Sequence, residues 1–189
     1  MTVAVNSLVS EVSTLLLDTT HVRWSVADVI AALSEAQVEL TKIQPDAYIK
    51  TVTVQLVPGA KQTAPSDCQT IVDMRQNENG AAVTPCNRDA LDRFTPKWMV
   101  TPTASYVVNW MTDPQPDTFY VSPAQGATPA RVVITYSALP SGLSEGGNLV
   151  VRDMYAPRVV NYALFRLYSR EDEAGSAEKA EAYYKLFTG

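Results

Sequence analysis

The chain has 189 residues, 46% of them hydrophobic, which is enough to bury a core without disulfide or metal staples. No apolar run reaches the roughly eighteen residues of a spanning helix, so no membrane segment is expected. A net charge of −5 and a pI near 4.9 argue against broad electrostatic capture of nucleic acid.

The start, Met1-Thr2-Val3-Ala4-Val5, lacks the basic residues and small-residue cleavage site of a signal peptide. The two cysteines, Cys68 and Cys86, have no C-x-x-C spacing and read as reduced thiols of a protein made in the cytoplasm. Eleven of the twelve prolines lie between Pro45 and Pro140, leaving only Pro157 in the helix-patterned flanks. Proline breaks helix interiors but is tolerated in turns and edge strands. The expected class is therefore α+β: a helical bundle formed by N- and C-terminal helices, with an inserted small antiparallel β domain. One unit is expected, with its helical scaffold over about 1–49 and 146–189 and its β insertion over about 50–140.

In chain order, the first helix is expected from Val5 to Leu17, with Val5, Leu8, Val9, Val12, Leu15 and Leu16 as its stripe. The second starts at the capping box Ser25-Val26-Ala27-Asp28, with Trp24 placed as a hydrophobic staple. Its buried face is Val26, Val29, Ile30, Leu33, Leu40 and Ile43, and Pro45 stops it. The middle reads as four or five strands: Thr51–Leu56, Ser105–Met111, Thr118–Ser122 and Arg131–Tyr136 are the clearest. Turns fall at Pro58-Gly59 and Asn77–Gly80, a short helix at Arg88–Phe94, and a long loop at Pro123–Pro129.

A third long helix carries Val159, Val160, Tyr162, Ala163, Leu164, Phe165, Leu167 and Tyr168. Apolar on nearly every side, it belongs in the middle of a bundle or at a subunit interface, with Pro157 in its first turn. The terminal helix, about Gly175 to Phe187, sets a charged face against Ala180, Tyr183, Tyr184 and Phe187. That second face serves equally as core or as an intermolecular contact.

Motifs for chemistry are scarce. His21 is the single histidine, and no local signature pairs it with Cys68 or Cys86 as base and nucleophile. Glu171-Asp172-Glu173 precedes a helix start and suits its dipole, but it lacks the alternating oxygens and glycine of a calcium loop. There is no P-loop, dinucleotide fingerprint or nucleophile elbow. Arg75, Arg88, Arg93, Lys97 and Arg131 lack interleaved aromatic platforms for bases. No catalytic, metal or cofactor-binding residue is expected. The competing reading is a small accessory enzyme such as a cysteine-dependent hydrolase.

Several segments together carry a resemblance: Arg23-Trp24, Pro45-Asp46-Ala47, Asn87 to Asp92 leading to Pro96-Lys97-Trp98, Asp117 to Pro123, Tyr136 to Pro140, and Tyr162 to Arg170. In order and spacing they resemble the head-to-tail adaptor (connector) proteins of tailed bacteriophages, over about Arg23 to Phe187. The resemblance implies a structural virion protein of the neck, made in the host cytoplasm. It implies a homo-oligomeric ring, usually of twelve subunits, that joins the portal protein to tail or nozzle proteins. DNA would pass through that ring as non-specific cargo. It also implies that the C-terminal segment meets the portal, making Tyr183, Tyr184, Leu186 and Phe187 the candidate interface. An acidic ring fits this role, since cationic walls would hold phosphates through counterion release.

Overall fold

The structure, a computed structural model, describes residues 2–100, 103–115, 117–170 and 176–189. Among them the helices are α1 (Val5–Leu15), α2 (Val26–Ile43), α3 (Arg88–Phe94), α4 (Ala156–Tyr168) and α5 (Ala177–Thr188). The strands are β1 (Ile49–Gln55), β2 (Gly59–Thr63), β3 (Cys68–Asn77), β4 (Thr84–Pro85), β5 (Thr103–Ala104), β6 (Asn109–Thr112), β7 (Thr118–Gln125) and β8 (Arg131–Ala138). They form two compact units, a helical one from Met1–Tyr48 with Leu139–Gly189 and a β unit from Ile49–Ala138. The α+β class with helices flanking a β region is thus the observed one. The acidic run Glu171-Asp172-Glu173 and the expected helix start at Gly175 lie outside the described residues.

In the helical unit, α4 touches α1, α2 and α5. This placement follows from its composition: Val159, Val160, Tyr162, Ala163, Leu164 and Leu167 are all buried, leaving little face for water. Pro157 lies in its first turn, where the missing N–H breaks no helical bond. α1 contributes Val5, Leu8, Val9 and Val12, and α2 contributes Val29, Leu33, Ala36 and Leu40. Ser25 caps α2 as expected, its Oγ accepting from the Asp28 N–H at 3.1 Å. Trp24 and Val29, flanking that cap, share the core.

Two expectations about these helices fail. α1 ends at Leu15, and Leu17 is 92% exposed. Ile43, assigned to the buried face of α2, is exposed because it is the last helical residue, where the chain turns into Pro45–Ala47. A polar residue takes a central core place instead. Gln37 is fully buried, and its Oε1 accepts from the N–H groups of Val150 and Val151 at 2.8 and 3.3 Å. The extended segment before α4 therefore finds its backbone partners on α2.

The β unit contains two sheets. One is antiparallel in the order β1-β8-β3. The other runs β2-β7-β6-β4, with β5 beside β7, and is mixed because β4–β6 and β5–β7 are parallel. β3, the longest strand, was not expected. Its register against β8 shifts three times, and its buried Ile71 and Met74 are three residues apart. Bulges break the period-2 alternation on which strand reading depends.

β7 was expected to stop at Ser122, before a loop from Pro123. It continues to Gln125, and β7 and β8 lie in different sheets. Buried Gln125 donates to the Tyr106 and Pro123 carbonyls and accepts from the Ala130 N–H at 2.9 Å, which pins the short connection. α3 forms at Arg88–Phe94 as expected, capped by Asn87. None of its residues is buried; the neighbouring Trp98 anchors this region, with Nε1 donating to Asp92 at 2.8 Å.

Candidate functional site

α5 begins with Ser176, whose side chain accepts from the Lys179 N–H, and its next turns lie on α4. Ala180 is buried, which lets the two helices approach closely. Further along, aromatic rings take over. Tyr183 stacks on Tyr168 with parallel rings 5.8 Å apart, and Lys179 lies over Tyr168 at 5.1 Å. Phe187 meets Tyr162 edge to face at 4.8 Å, and Tyr184 lies 4.9 Å from Phe165. Such ring pairs add about 0.5–1.5 kcal/mol each beyond simple burial.

The C-terminal end of α5 is also fixed by polar contacts. Arg158 Nε donates to the Phe187 carbonyl at 2.7 Å, with its guanidinium over the Phe187 ring. This places a cation among the last orphan carbonyls of the helix, where the dipole favours it. On the other side of α4, the Tyr162 hydroxyl donates to Glu35 at 3.1 Å, and Arg166 pairs with the same carboxylate at 2.9 Å. Burial, then the Glu35 charge, raises the Tyr162 phenol, so it stays a neutral donor.

The four candidate interface residues therefore divide. Phe187 is 1% exposed and belongs to the helical core; Tyr183 is half-buried in its stack. Tyr184 and Leu186 are 44% and 58% exposed, and both are held on a helix that cannot swing freely. Sequence spacing placed all four on one short helix. It could not tell which would face α4, because the partner's position is a tertiary fact.

The groups considered for chemistry are placed as follows. His21 has φ of 53° and a half-buried ring, with Nδ1 3.3 Å from the Trp24 carbonyl and 3.5 Å from Ser13 Oγ. It is a loop-closing residue of the helical unit. Both cysteines are half-buried in the β unit. Burial, and then the neighbouring Asp67 charge, pushes the Cys68 thiol up to about 11, the opposite of nucleophile activation. Cys86 Sγ donates to the adjacent Asn87 carbonyl at 3.4 Å. Among the described residues no group of three His, Cys, Asp or Glu side chains is arranged to hold a metal ion. No described helix is long and apolar enough to cross a membrane.

Charge is unevenly shared. The helical unit holds thirteen acidic residues against eight basic, whereas the β unit holds seven of each. The whole net charge of −5 therefore resides in the helical unit.

A family model described as SU10 adaptor protein matches residues 3–189. No curated protein matches the chain.

Proposed function

The chain belongs to the SU10 adaptor protein family, a family of phage structural adaptors, and from that premise we propose that it forms a ring between portal and tail. In this reading it is a non-catalytic virion protein. Copies of it assemble side by side, the portal ring lies on one side, tail or nozzle proteins lie on the other, and DNA passes through without specific contact. The family match over nearly the whole chain carries the reading. The unactivated Cys68 thiol weighs against the cysteine-dependent hydrolase.

The portal contact is assigned to the exposed part of α5, Tyr184 and Leu186. Two large apolar groups on a fastened helix lose little conformational freedom on docking, which favours affinity. Phe187 and Tyr183 support them from within the subunit. The acidity of the helical unit gives a DNA conduit walls that do not retain phosphates.

The experiment is co-sedimentation of purified protein with assembled portal rings of the same virus. Tyr184→Ala and Leu186→Asp should each weaken binding, with about 2 kcal/mol lost if either is a hot spot. Unchanged binding by the folded double variant would remove α5 from the portal contact. Failure of the unaltered protein to bind any portal would count against the adaptor position itself.

A further inference from the structure

α1 closes in a way that its sequence does not favour. The Leu17 N–H donates to the Thr14 carbonyl at 3.1 Å and the Asp18 N–H to the Ser13 carbonyl at 2.9 Å, the paired bonds of a Schellman cap. Leu17 takes the left-handed position of that cap, at φ 58°, where glycine is the usual residue. A branched apolar side chain gains nothing there unless it is buried, yet Leu17 is 92% exposed.

The loop that follows is rigid rather than loose. The Asp18 carboxylate accepts from the N–H groups of Val22, Arg23 and Trp24 at 3.0, 3.0 and 2.8 Å. Trp24 is buried beneath, flanked by Arg170 at 5.0 Å. This frame holds up a second apolar side chain, Val22, which is 87% exposed, beside Arg23, whose guanidinium lies 5.8 Å from the Trp24 ring centre and has no ion pair among the described residues. Backbone strain and apolar exposure at one fixed loop are both costs to the isolated subunit. They are offset if the loop is covered in an assembly.

The same helical unit carries a groove of matching character. Val26, Ile30 and Ala31 of α2 line it with Leu143, whose N–H is held by Ser34 Oγ at 2.9 Å. Glu145 also lines it, exposed and without an ion pair among the described residues. An apolar loop and an arginine with no ion pair among the described residues thus have their complement on the same unit, a largely apolar groove whose carboxylate is likewise unpaired among them.

We propose that the α1–α2 loop of one copy seats Leu17 and Val22 in the α2–Leu143 groove of the next copy, with Arg23 facing Glu145. The proposal rests on the adaptor reading and deepens it by naming a subunit contact. A loop on one copy meeting a different surface on the next is a heterologous contact, which gives a ring where its rotation closes on itself.

The test is analytical ultracentrifugation of the full chain and three variants, with thermal melts alongside. Leu17→Gly removes the apolar group and relieves the backbone, so it should melt at or above the unaltered protein. It should nonetheless associate about tenfold more weakly, or worse. Glu145→Arg should weaken association similarly, and adding Arg23→Glu to it should restore a substantial part.

Association of Leu17→Gly equal to that of the unaltered protein would overturn the contact. So would a double charge reversal no better than Glu145→Arg alone. An unaltered protein that stays monomeric at its highest soluble concentration would overturn it too, including where Leu17 instead proves necessary for portal binding. A protein that self-assembles through this loop but binds no portal would leave the contact standing and count against the adaptor reading.

Discussion

In the β unit, the Tyr136 hydroxyl donates to Asp67 Oδ1 at 2.9 Å, and the Lys50 ammonium donates to Oδ2 of the same carboxylate. The Lys50 hydrogen bond, aided by that from Tyr136 and opposed by desolvation, holds the Asp67 carboxyl below its ordinary range. Tyr136 is pushed up to about 12, first by burial and then by its bond to Asp67. The folded state thus holds the Tyr136 proton more tightly than the unfolded chain does. Its contribution to stability is complete below the ordinary phenol value of 10.0 and is lost as pH rises toward about 12. The Cys68 thiol adds a loss in the same direction, from 9.0 upward to about 11. Urea midpoints measured across alkaline pH should therefore fall, and Tyr136→Phe should make the fall shallower. Equal slopes for the two proteins would contradict the assignment. For Asp67 the sign reverses: its contribution is present above the ordinary 3.8 and is lost as pH falls below it.

At the scale of the element, α5 shows how one helix serves two purposes. Its inward residues, Ala180 and Phe187, are core, whereas Leu186 next to Phe187 points to water. Phe187→Ala should cost about 3–5 kcal/mol, since it empties a place against Tyr162 and Arg158. Leu186→Asp should cost only about 1 kcal/mol, the loss expected from a carboxylate in the last turn of a helix rather than from an emptied core. Chemical denaturation of both variants checks the split, and a Leu186→Asp loss as large as that of Phe187→Ala would place Leu186 in the core. Deleting residues 183–189 is a poor probe of the portal contact, because it removes the Phe187 anchor along with the exposed groups. α4 makes the complementary point. A helix apolar on nearly all sides becomes the middle of the unit because three other helices cover it.

At the scale of the whole molecule, the β unit is an insertion with closely placed ends. Ile49, which opens β1, is paired across the ladder with Ser137 near the end of β8. Paired residues in an antiparallel sheet lie about 5 Å apart, so a short linker can replace everything between them. Replacing residues 49–138 with a brief Gly/Ser linker should leave a helical unit that melts cooperatively, because its core cluster contains no residue from the β unit. A spliced chain without a cooperative transition would show that the helical core depends on the insertion. The same excision should leave the net charge at −5, since the removed segment is balanced. The acidic character of any assembled ring would thus come from its helices.

Much of the helical scaffold was determined by the sequence, because its signals are local. The Ser25–Asp28 cap, the 3-and-4 stripes of α1 and α2, Pro157 at a helix start and the extent of α3 each depend on residues within one or two turns. Proline spacing likewise placed the β region between two helical flanks. Tertiary structure alone decided the rest, wherever a residue's role depends on a distant partner. Gln37 shares the 3-and-4 spacing of Leu33 and Leu40, but what its amide bonds there is set only when the Val150 and Val151 amides, over a hundred positions away, are brought to it. The bulges of β3 appear only against β8, and the separation of β7 from β8 only in the completed sheets. Of the aromatic residues of α5, Phe187 turned inward and Tyr184 was left half in water because α4 covers one side of that helix and not the other. Leu17 is the converse case. The expected helix runs on to it, but the Schellman cap turns the chain first and leaves that side chain outside.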